Sequence, residues 1–149
     1  MNPKVFLDTN ILLDLFLERP GFESSAIILQ AGEDGKADLF CSFLAMANLA
    51  FILRKTLSAP LLIPTIMQIK SLIKVLPMDE EQLSEACLLD GPDFEDVLQA
   101  ICAIKGACTH LVTRNVAHFR FTPMKGAQIA ANAFPVVCTP EEFTVNLPE

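Results

Sequence analysis

The chain has 149 residues, 52% of them hydrophobic, and a formal net charge of −7. A chain of this length buries roughly two thirds of its unfolded surface, and this hydrophobic composition excludes intrinsic disorder. The negative charge argues against a protein that coats nucleic acid without sequence preference.

The first half of the chain alternates short apolar runs with longer helical patterns. Residues 5–7 predict a buried strand, and Asp8, Thr9 and Asn10 form a polar turn before a helix begins near Ile11. The next predicted elements are a helix, a strand, a helix capped by Ser42 and a helix with Pro64 in its first turn, at residues 21–33, 39–41, 43–56 and 64–74.

The second half continues the same alternation. Residues 75–78 predict a short edge strand, because Pro77 cannot donate to a central ladder. Asp79 and Gln82 resemble a capping box that opens the following helix. The remaining predictions are helices at residues 80–89 and 94–105, strands at 111–113 and 135–137, and a last helix capped by Thr139.

Short, uniformly apolar strands that alternate with helices are typical of a parallel sheet covered on both faces. We therefore predict a single three-layer α/β/α domain with a mainly parallel sheet over residues 1–149. The longest nearly apolar run, residues 39–53, is shorter than the roughly 18–20 residues that a membrane helix needs. Asp8 lies where a signal peptide would need its apolar stretch, so we expect a cytoplasmic protein that does not cross a membrane.

Polar side chains follow the predicted strands, where ligands of open α/β sheets bind. Asp8 follows the first strand, Asp93 and Asp96 begin a helix, and Asn115 follows the strand at 111–113. Asp8 and Asp93 also suit simple helix capping, and both interpretations stay open. Asp96 lies one helical turn after Asp93, and two carboxylates this close repel unless a proton or a cation lies between them. A hard divalent cation such as Mg²⁺ is the natural partner.

Four segments, taken in order, resemble the PIN domain family. They are V-F-L-D-T-N-I-L-L-D at residues 5–14, S-F-L followed by I-L-R-K between residues 42 and 55, D-F-E-D-V-L-Q-A at 93–100, and L-V-T-R-N followed by a phenylalanine at 111–119. The resemblance implies a Rossmann-like α/β/α fold and a Mg²⁺- or Mn²⁺-dependent ribonuclease that acts on RNA. Numerous bacterial members are toxins paired with an antitoxin protein, so the resemblance also implies an antitoxin partner.

The resemblance assigns the metal site to five positions, of which Asp8 and Asp96 are the predicted catalytic residues. Asp93 adjoins them, and Asn48 and Asn115 stand where the family usually carries acids. An amide offers an oxygen to a cation but brings no negative charge and cannot act as a base. One bound cation is therefore favoured over two, which would need more carboxylate charge.

Substrate-binding roles are predicted for Thr9, Asn10 and Arg114. Thr9 and Asn10 equally suit an ordinary turn, and Arg114 suits contact with the RNA backbone or an ion pair with Asp93 or Asp96. Most of the eleven phenylalanines are interpreted as core residues, with no spacing that suggests base stacking. The excess of hydrophobic residues suggests an apolar surface for a homodimer or an antitoxin.

Two other functions are weighed against the nuclease. A PIN-fold module that binds RNA or protein without cleavage is favoured by the amides at Asn48 and Asn115. A phosphoryl-transfer fold of the haloacid dehalogenase type requires D-x-D-x-T after the first strand. Here Asn10 replaces the second acid, so the general acid is missing and this function is disfavoured.

Overall fold

The computed structural model describes residues 1–129 and 133–147. Its main sheet contains five parallel strands: β1 (Lys4–Leu7), β2 (Asp38–Ser42), β3 (Lys74–Leu76), β5 (His110–Val112) and β7 (Val136–Cys138). Their order across the sheet is β3-β2-β1-β5-β7, and β4 (Leu89–Asp90) pairs antiparallel with β6 (Thr122–Pro123) in a separate ribbon. The prediction of a mainly parallel sheet is confirmed.

Helices cover both faces of the sheet. They are α1 (Thr9–Leu17), α2 (Phe22–Glu33), α3 (Phe43–Leu53), α4 (Ala59–Leu72), α5 (Glu80–Ala86), α6 (Phe94–Lys105) and α7 (Pro140–Val145). Because side chains alternate along a strand, Val5 and Leu7 of β1 pack into the core beneath α1–α4, whereas Phe6 packs with α6 on the other face. The predicted three-layer α/β/α fold is confirmed; the extent of the domain over residues 1–149 stays a prediction.

The helix caps expected from the sequence are present. The Ser42 hydroxyl accepts from the Ala45 N–H at 2.9 Å, and Asp79 and Gln82 form a reciprocal capping box. Thr139 caps α7 with Pro140 in its first turn. These local signals need only residues within one turn of each other, which explains why the sequence predicts them well.

The fourth helix begins earlier than predicted. Ala59 is its first residue, Pro60 occupies the first turn, and Pro64 lies inside the helix, so the prediction that Pro64 starts it is wrong. Pro64 has no N–H to donate to the Pro60 carbonyl. Both prolines are exposed, so water can hydrate that carbonyl instead. The sequence pattern also missed β4, β6 and the 3₁₀ turn Val116–Phe119.

The five cysteines are free thiols. Four of them are buried, as expected of small hydrophobic residues, and Cys87 is exposed.

Among the residues that the structure describes, every helix is too short or too polar to cross a lipid bilayer.

The order of strands reverses next to β1, and this positions the candidate site. Strands β2 and β3 continue on one side of β1, whereas β5 and β7 continue on the other. The Asp8 N–H donates to the Val112 carbonyl at 3.1 Å, which joins the ends of β1 and β5. Residues that follow these two strands therefore meet at one edge of the sheet, where α/β folds bind ligands.

Candidate active site

Asp8 is buried at the junction between β1 and α1, with only 3% of its surface exposed. One carboxylate oxygen accepts from the Thr9 N–H at 2.8 Å, which caps α1, and the other accepts from the Thr113 hydroxyl at 3.0 Å. Burial raises the pKa of Asp8, and these two hydrogen bonds partly oppose the rise. Asp8 is thus both a helix cap and an acid held in a fixed orientation.

A second acidic group lies at the start of α6. Asp93 caps that helix by accepting from the Glu95 and Asp96 N–H groups at 2.9 and 3.3 Å. His118 Nδ1 lies 3.1 Å from an Asp96 carboxylate oxygen. One side-chain oxygen or nitrogen of each of Asp93, Asp96 and His118 lies within 4.8 Å of the others, a spacing that one metal ion could bridge.

These groups line one cleft with a volume of about 430 Å³. Seven of the eight predicted site residues line it: Asp8, Thr9, Asn10, Asn48, Asp93, Asp96 and Asn115. The other lining residues are Leu13, Phe51, Ile52, Glu95 and His118. Segments from α1, α3, α6 and the turn after β5 therefore converge as the order of strands suggested.

Glu95 is a fourth carboxylate in the cleft that the sequence interpretation did not include. Its Oε1 accepts from the Asn48 side-chain amide at 2.5 Å, so Asn48 joins α3 to α6. The D-F-E-D segment contains Glu95, but only the packing of α3 beside α6 shows that it faces the site. The remaining oxygen of Asn48 is the atom that could reach a cation.

Arg114 does not line the cleft. Its Nε donates to Asp14 at 2.8 Å, its Nη1 donates to Glu141 at 2.7 Å, and its Nη2 donates to the Gly21 carbonyl at 2.6 Å. Of the two contacts suggested for Arg114, the ion pair with Asp93 or Asp96 is therefore not formed, and the contact with RNA stays a prediction. The guanidinium instead joins three segments: α1, α7 and the turn that precedes α2.

Gln99 of α6 is a further residue that sequence reasoning missed. It is fully buried, accepts from the Ser42 hydroxyl at 2.5 Å and donates to the Thr9 hydroxyl at 3.2 Å. Since Ser42 caps α3 and Thr9 begins α1, Gln99 fixes three site-bearing helices relative to one another. A glutamine within the apolar stretch V-L-Q-A-I was the available signal, because a buried amide requires partners.

Charge repulsion is concentrated on Asp96. Its pKa is raised from 3.8 to about 6 by burial and by the negative charges of Asp8 and Asp93, with the His118 contact acting in the opposite direction. A raised pKa in the folded state means that the protein holds this proton more tightly than the unfolded chain does. Protonated Asp96 therefore makes its full contribution to the stability of the folded state below about pH 4. That contribution is lost as the pH rises through about 6.

Asp96→Asn should stabilise the metal-free protein at pH 7.5 by about 1 kcal/mol, after allowance for solvent screening. The gain corresponds to a melting temperature higher by roughly 2–4 °C, and it should disappear near pH 4, where Asp96 of the wild type is protonated. Thermal melts across this pH range test it. Asp90→Asn, an exposed change on β4 outside the cleft, is the control, and an equal gain there would contradict the explanation.

The sequence profile of the PIN domain family matches residues 4–117. This chain belongs to the PIN domain family. The match spans β1 to the turn after β5 and so includes every residue of the cleft except His118. No curated protein sequence matches the chain.

Several solved structures share the fold of this chain. VapBC2 from Rickettsia felis, bound to a promoter DNA fragment, is 16% identical, with a TM-score of 0.61 over 91% of this chain and 98% of that one. FitAB bound to an IR36 DNA fragment is 19% identical, with a TM-score of 0.64 over 91% and 94%. A toxin–antitoxin complex from Klebsiella pneumoniae is 19% identical, with a TM-score of 0.62 over 91% and 97%.

Proposed function

We propose that this PIN domain is a cytoplasmic endoribonuclease that depends on Mg²⁺ or Mn²⁺ and hydrolyses RNA phosphodiesters. The observation that carries the proposal is the convergence of four carboxylates, from Asp8, Asp93, Glu95 and Asp96, in one cleft. None of the described residues that line the cleft is a lysine or an arginine, so no fixed cation neutralises them there.

The donor set fits a hard divalent cation. Carboxylate oxygens are the preferred ligands of Mg²⁺ and Mn²⁺, and the amide oxygens of Asn48 and Asn115 are weaker ligands of the same kind. Burial and the negative charges of Asp8 and Asp93 raise the pKa of Asp96, and a bound cation would offset that repulsion. Three carboxylates with open water positions are sufficient for one such ion.

The chain's own groups then have separate tasks. A bound cation would activate water and stabilise negative charge on the scissile phosphate. Hydrogen bonds from the Thr9 N–H and the Thr113 hydroxyl fix the orientation of the Asp8 carboxylate, which lines the cleft. His118 contacts the Asp96 carboxylate through Nδ1; when Nδ1 donates there, Nε2 of the neutral ring is an acceptor that can take a hydrogen bond from water.

A cleavage assay with purified protein tests the proposal. Labelled single-stranded RNA should be cleaved with Mn²⁺ or Mg²⁺ and should remain intact when a chelator is added. Mn²⁺ should also raise the melting temperature of the wild type, because it binds the folded cleft. Cleavage that continues with chelator, or the absence of any Mn²⁺-dependent shift, would contradict a metal-dependent nuclease.

We also propose that the protein is the toxin of a toxin–antitoxin pair. The similar structures VapBC2, FitAB and the Klebsiella pneumoniae complex support an antitoxin partner, and exposed apolar side chains of α4 offer a surface for it: Leu61, Ile63 and Met67. A homodimer through apolar surface is a further proposal. Light scattering of the purified chain, alone and after co-expression with the neighbouring gene product, measures both.

A second candidate function is a PIN-fold module that binds RNA or protein without cleavage. Asn48 and Asn115 favour it, because both replace acids at positions that the family resemblance assigns to the metal. Each amide removes one negative charge from the cation's surroundings. The two candidate functions differ in how the protein responds when charge is restored.

Asn115→Asp should increase Mn²⁺ affinity by about tenfold, because the charge of the ligands sets the affinity of such sites. Cleavage should rise with it, as measured by titrating Mn²⁺ into the assay. Asn48→Glu is the contrasting variant: the Asn48 amide donates to Glu95, which a carboxylate cannot do, so this change adds repulsion and should lower the metal-free melting temperature. An Asn115→Asp protein that binds Mn²⁺ no better than the wild type would exclude Asn115 from the metal site.

A further inference from the structure

An exposed aromatic ring stands at the α3 edge of the catalytic cleft. Phe51 lines the same cleft as Asp8 and Asp96, yet 54% of its surface is exposed. The Arg54 guanidinium carbon lies 4.0 Å from the centroid of its ring, and the Lys55 ammonium lies 5.5 Å from it. Both distances are within the range of cation–π attraction, so two cations are held beside the ring.

These two cations have no acidic partner among the residues that the structure describes: neither Arg54 nor Lys55 forms a salt bridge there. The charged lining of the adjoining cleft is otherwise acidic. Two positive charges, on Arg54 and Lys55, therefore lie beside the acidic cleft at the edge formed by α3. A polyanion that approaches the cleft is attracted at this edge and repelled elsewhere along the lining.

We propose that Phe51, Arg54 and Lys55 form a binding platform for single-stranded RNA, in which a base stacks on Phe51 and the neighbouring phosphates contact the two cations. The inference rests on the proposed nuclease function, since the platform adjoins the carboxylates that would cleave the strand. A paired base is already stacked in its helix, so an exposed ring selects unpaired nucleotides. Sequence patterning did not identify this platform, because Phe51 and the cleft acids lie in separate segments of the chain.

Single-stranded RNA fits this edge better than a protein partner does. The exposed apolar side chains of α4, such as Leu61 and Ile63, are aliphatic and cannot stack on a base, whereas Phe51 is an exposed ring with two cations against it. An aromatic ring flanked by basic residues is the arrangement that proteins use to bind single strands without base-specific hydrogen bonds. Such a platform binds unpaired RNA without distinguishing one base from another.

Fluorescence anisotropy with a labelled oligouridine of about 12 nucleotides tests the ring. All proteins carry Asp96→Asn, so that the strand is not cleaved. Phe51→Ala should weaken binding by about tenfold, and Phe51→Trp should restore it, because a larger ring also stacks. Phe43→Ala is the matched control: Phe43 lies on the same helix and is 65% exposed, but it does not line the cleft.

The cations are tested through the salt dependence of binding. Replacing Arg54 and Lys55 together with glutamine should reduce the slope of log affinity against log salt by about 1.4, or about 0.7 for each lost phosphate contact. The matched control replaces Lys70 and Lys74, two exposed bases that line a different cavity, and should leave the slope unchanged.

The outcomes separate this inference from the proposed function. If the Asp96→Asn parent binds the strand and Phe51→Ala binds it equally well, the platform is wrong and the nuclease proposal stands. If Phe51→Ala and Phe43→Ala lose affinity equally, or if Phe51→Ala changes only the oligomeric state, the surface is a protein interface and the platform is again wrong. If the parent does not bind RNA and the wild type does not cleave it, the proposed function fails first.

Discussion

Asp8→Asn is expected to lower Mn²⁺-dependent RNA cleavage by at least about 100-fold. The asparagine keeps the size of the side chain but removes a negative charge from the lining of the cleft. It also replaces one acceptor oxygen by an NH₂ donor, so it cannot satisfy both Thr9 N–H and the Thr113 hydroxyl as the carboxylate does. The initial rate of cleavage of a labelled single-stranded RNA measures the loss.

Two further variants make this result specific. Asp90→Asn removes an exposed acid outside the cleft and should cleave at the wild-type rate. Thr113→Val removes the hydroxyl that donates to Asp8 and accepts from the Asn115 N–H, and it should reduce activity by about 10–100-fold, as expected for a group that supports metal ligands. Wild-type activity in Asp8→Asn, or an equal loss in Asp90→Asn, would contradict the role given to Asp8.

Three of the four cleft carboxylates were predictable because each depends on local signals and on one general rule. Asp8 directly follows an apolar strand, and Asp93 and Asp96 lie within one turn of a helix start. Parallel strands end at a common edge, so residues from distant segments could be placed together without knowledge of their contacts. The same reasoning placed Asn115 beside them.

The features that could not be predicted depend on partners far apart in the chain. Arg114 and Asp14 are separated by 100 positions, and Gln99 and Thr9 by 90. Nothing in the pattern around Arg114 shows whether its side chain turns towards the cleft or towards α7, since both contain acids. Phe51 was likewise not distinguished from the other phenylalanines, because hydrophobic composition does not reveal which ring the fold leaves exposed.

Arg114→Ala is expected to lower the free energy of unfolding by about 3 kcal/mol, which corresponds to a melting temperature lower by roughly 6–12 °C. Asp14 is only 4% exposed, so without the guanidinium its carboxylate stays buried with a weakened set of partners. Arg19 lies 3.9 Å from the same carboxylate and compensates in part, which keeps the loss at the lower end of its range. The Gly21 carbonyl also loses its donor.

The hydrogen bonds of Arg114 to Asp14, Glu141 and the Gly21 carbonyl form a clamp between α1, α7 and the turn before α2. Urea unfolding of matched variants distinguishes this structural role from the predicted contact of Arg114 with RNA. Glu141→Gln changes the other carboxylate that Arg114 binds, but the Glu141 side chain is 49% exposed, so the loss should stay below about 1 kcal/mol. Arg114→Lys keeps the charge and loses the planar fork that reaches three partners, so it should lie between alanine and the wild type. If Arg114→Ala unfolds at the wild-type urea concentration but binds RNA more weakly, Arg114 contacts the substrate and the clamp does not stabilise the fold.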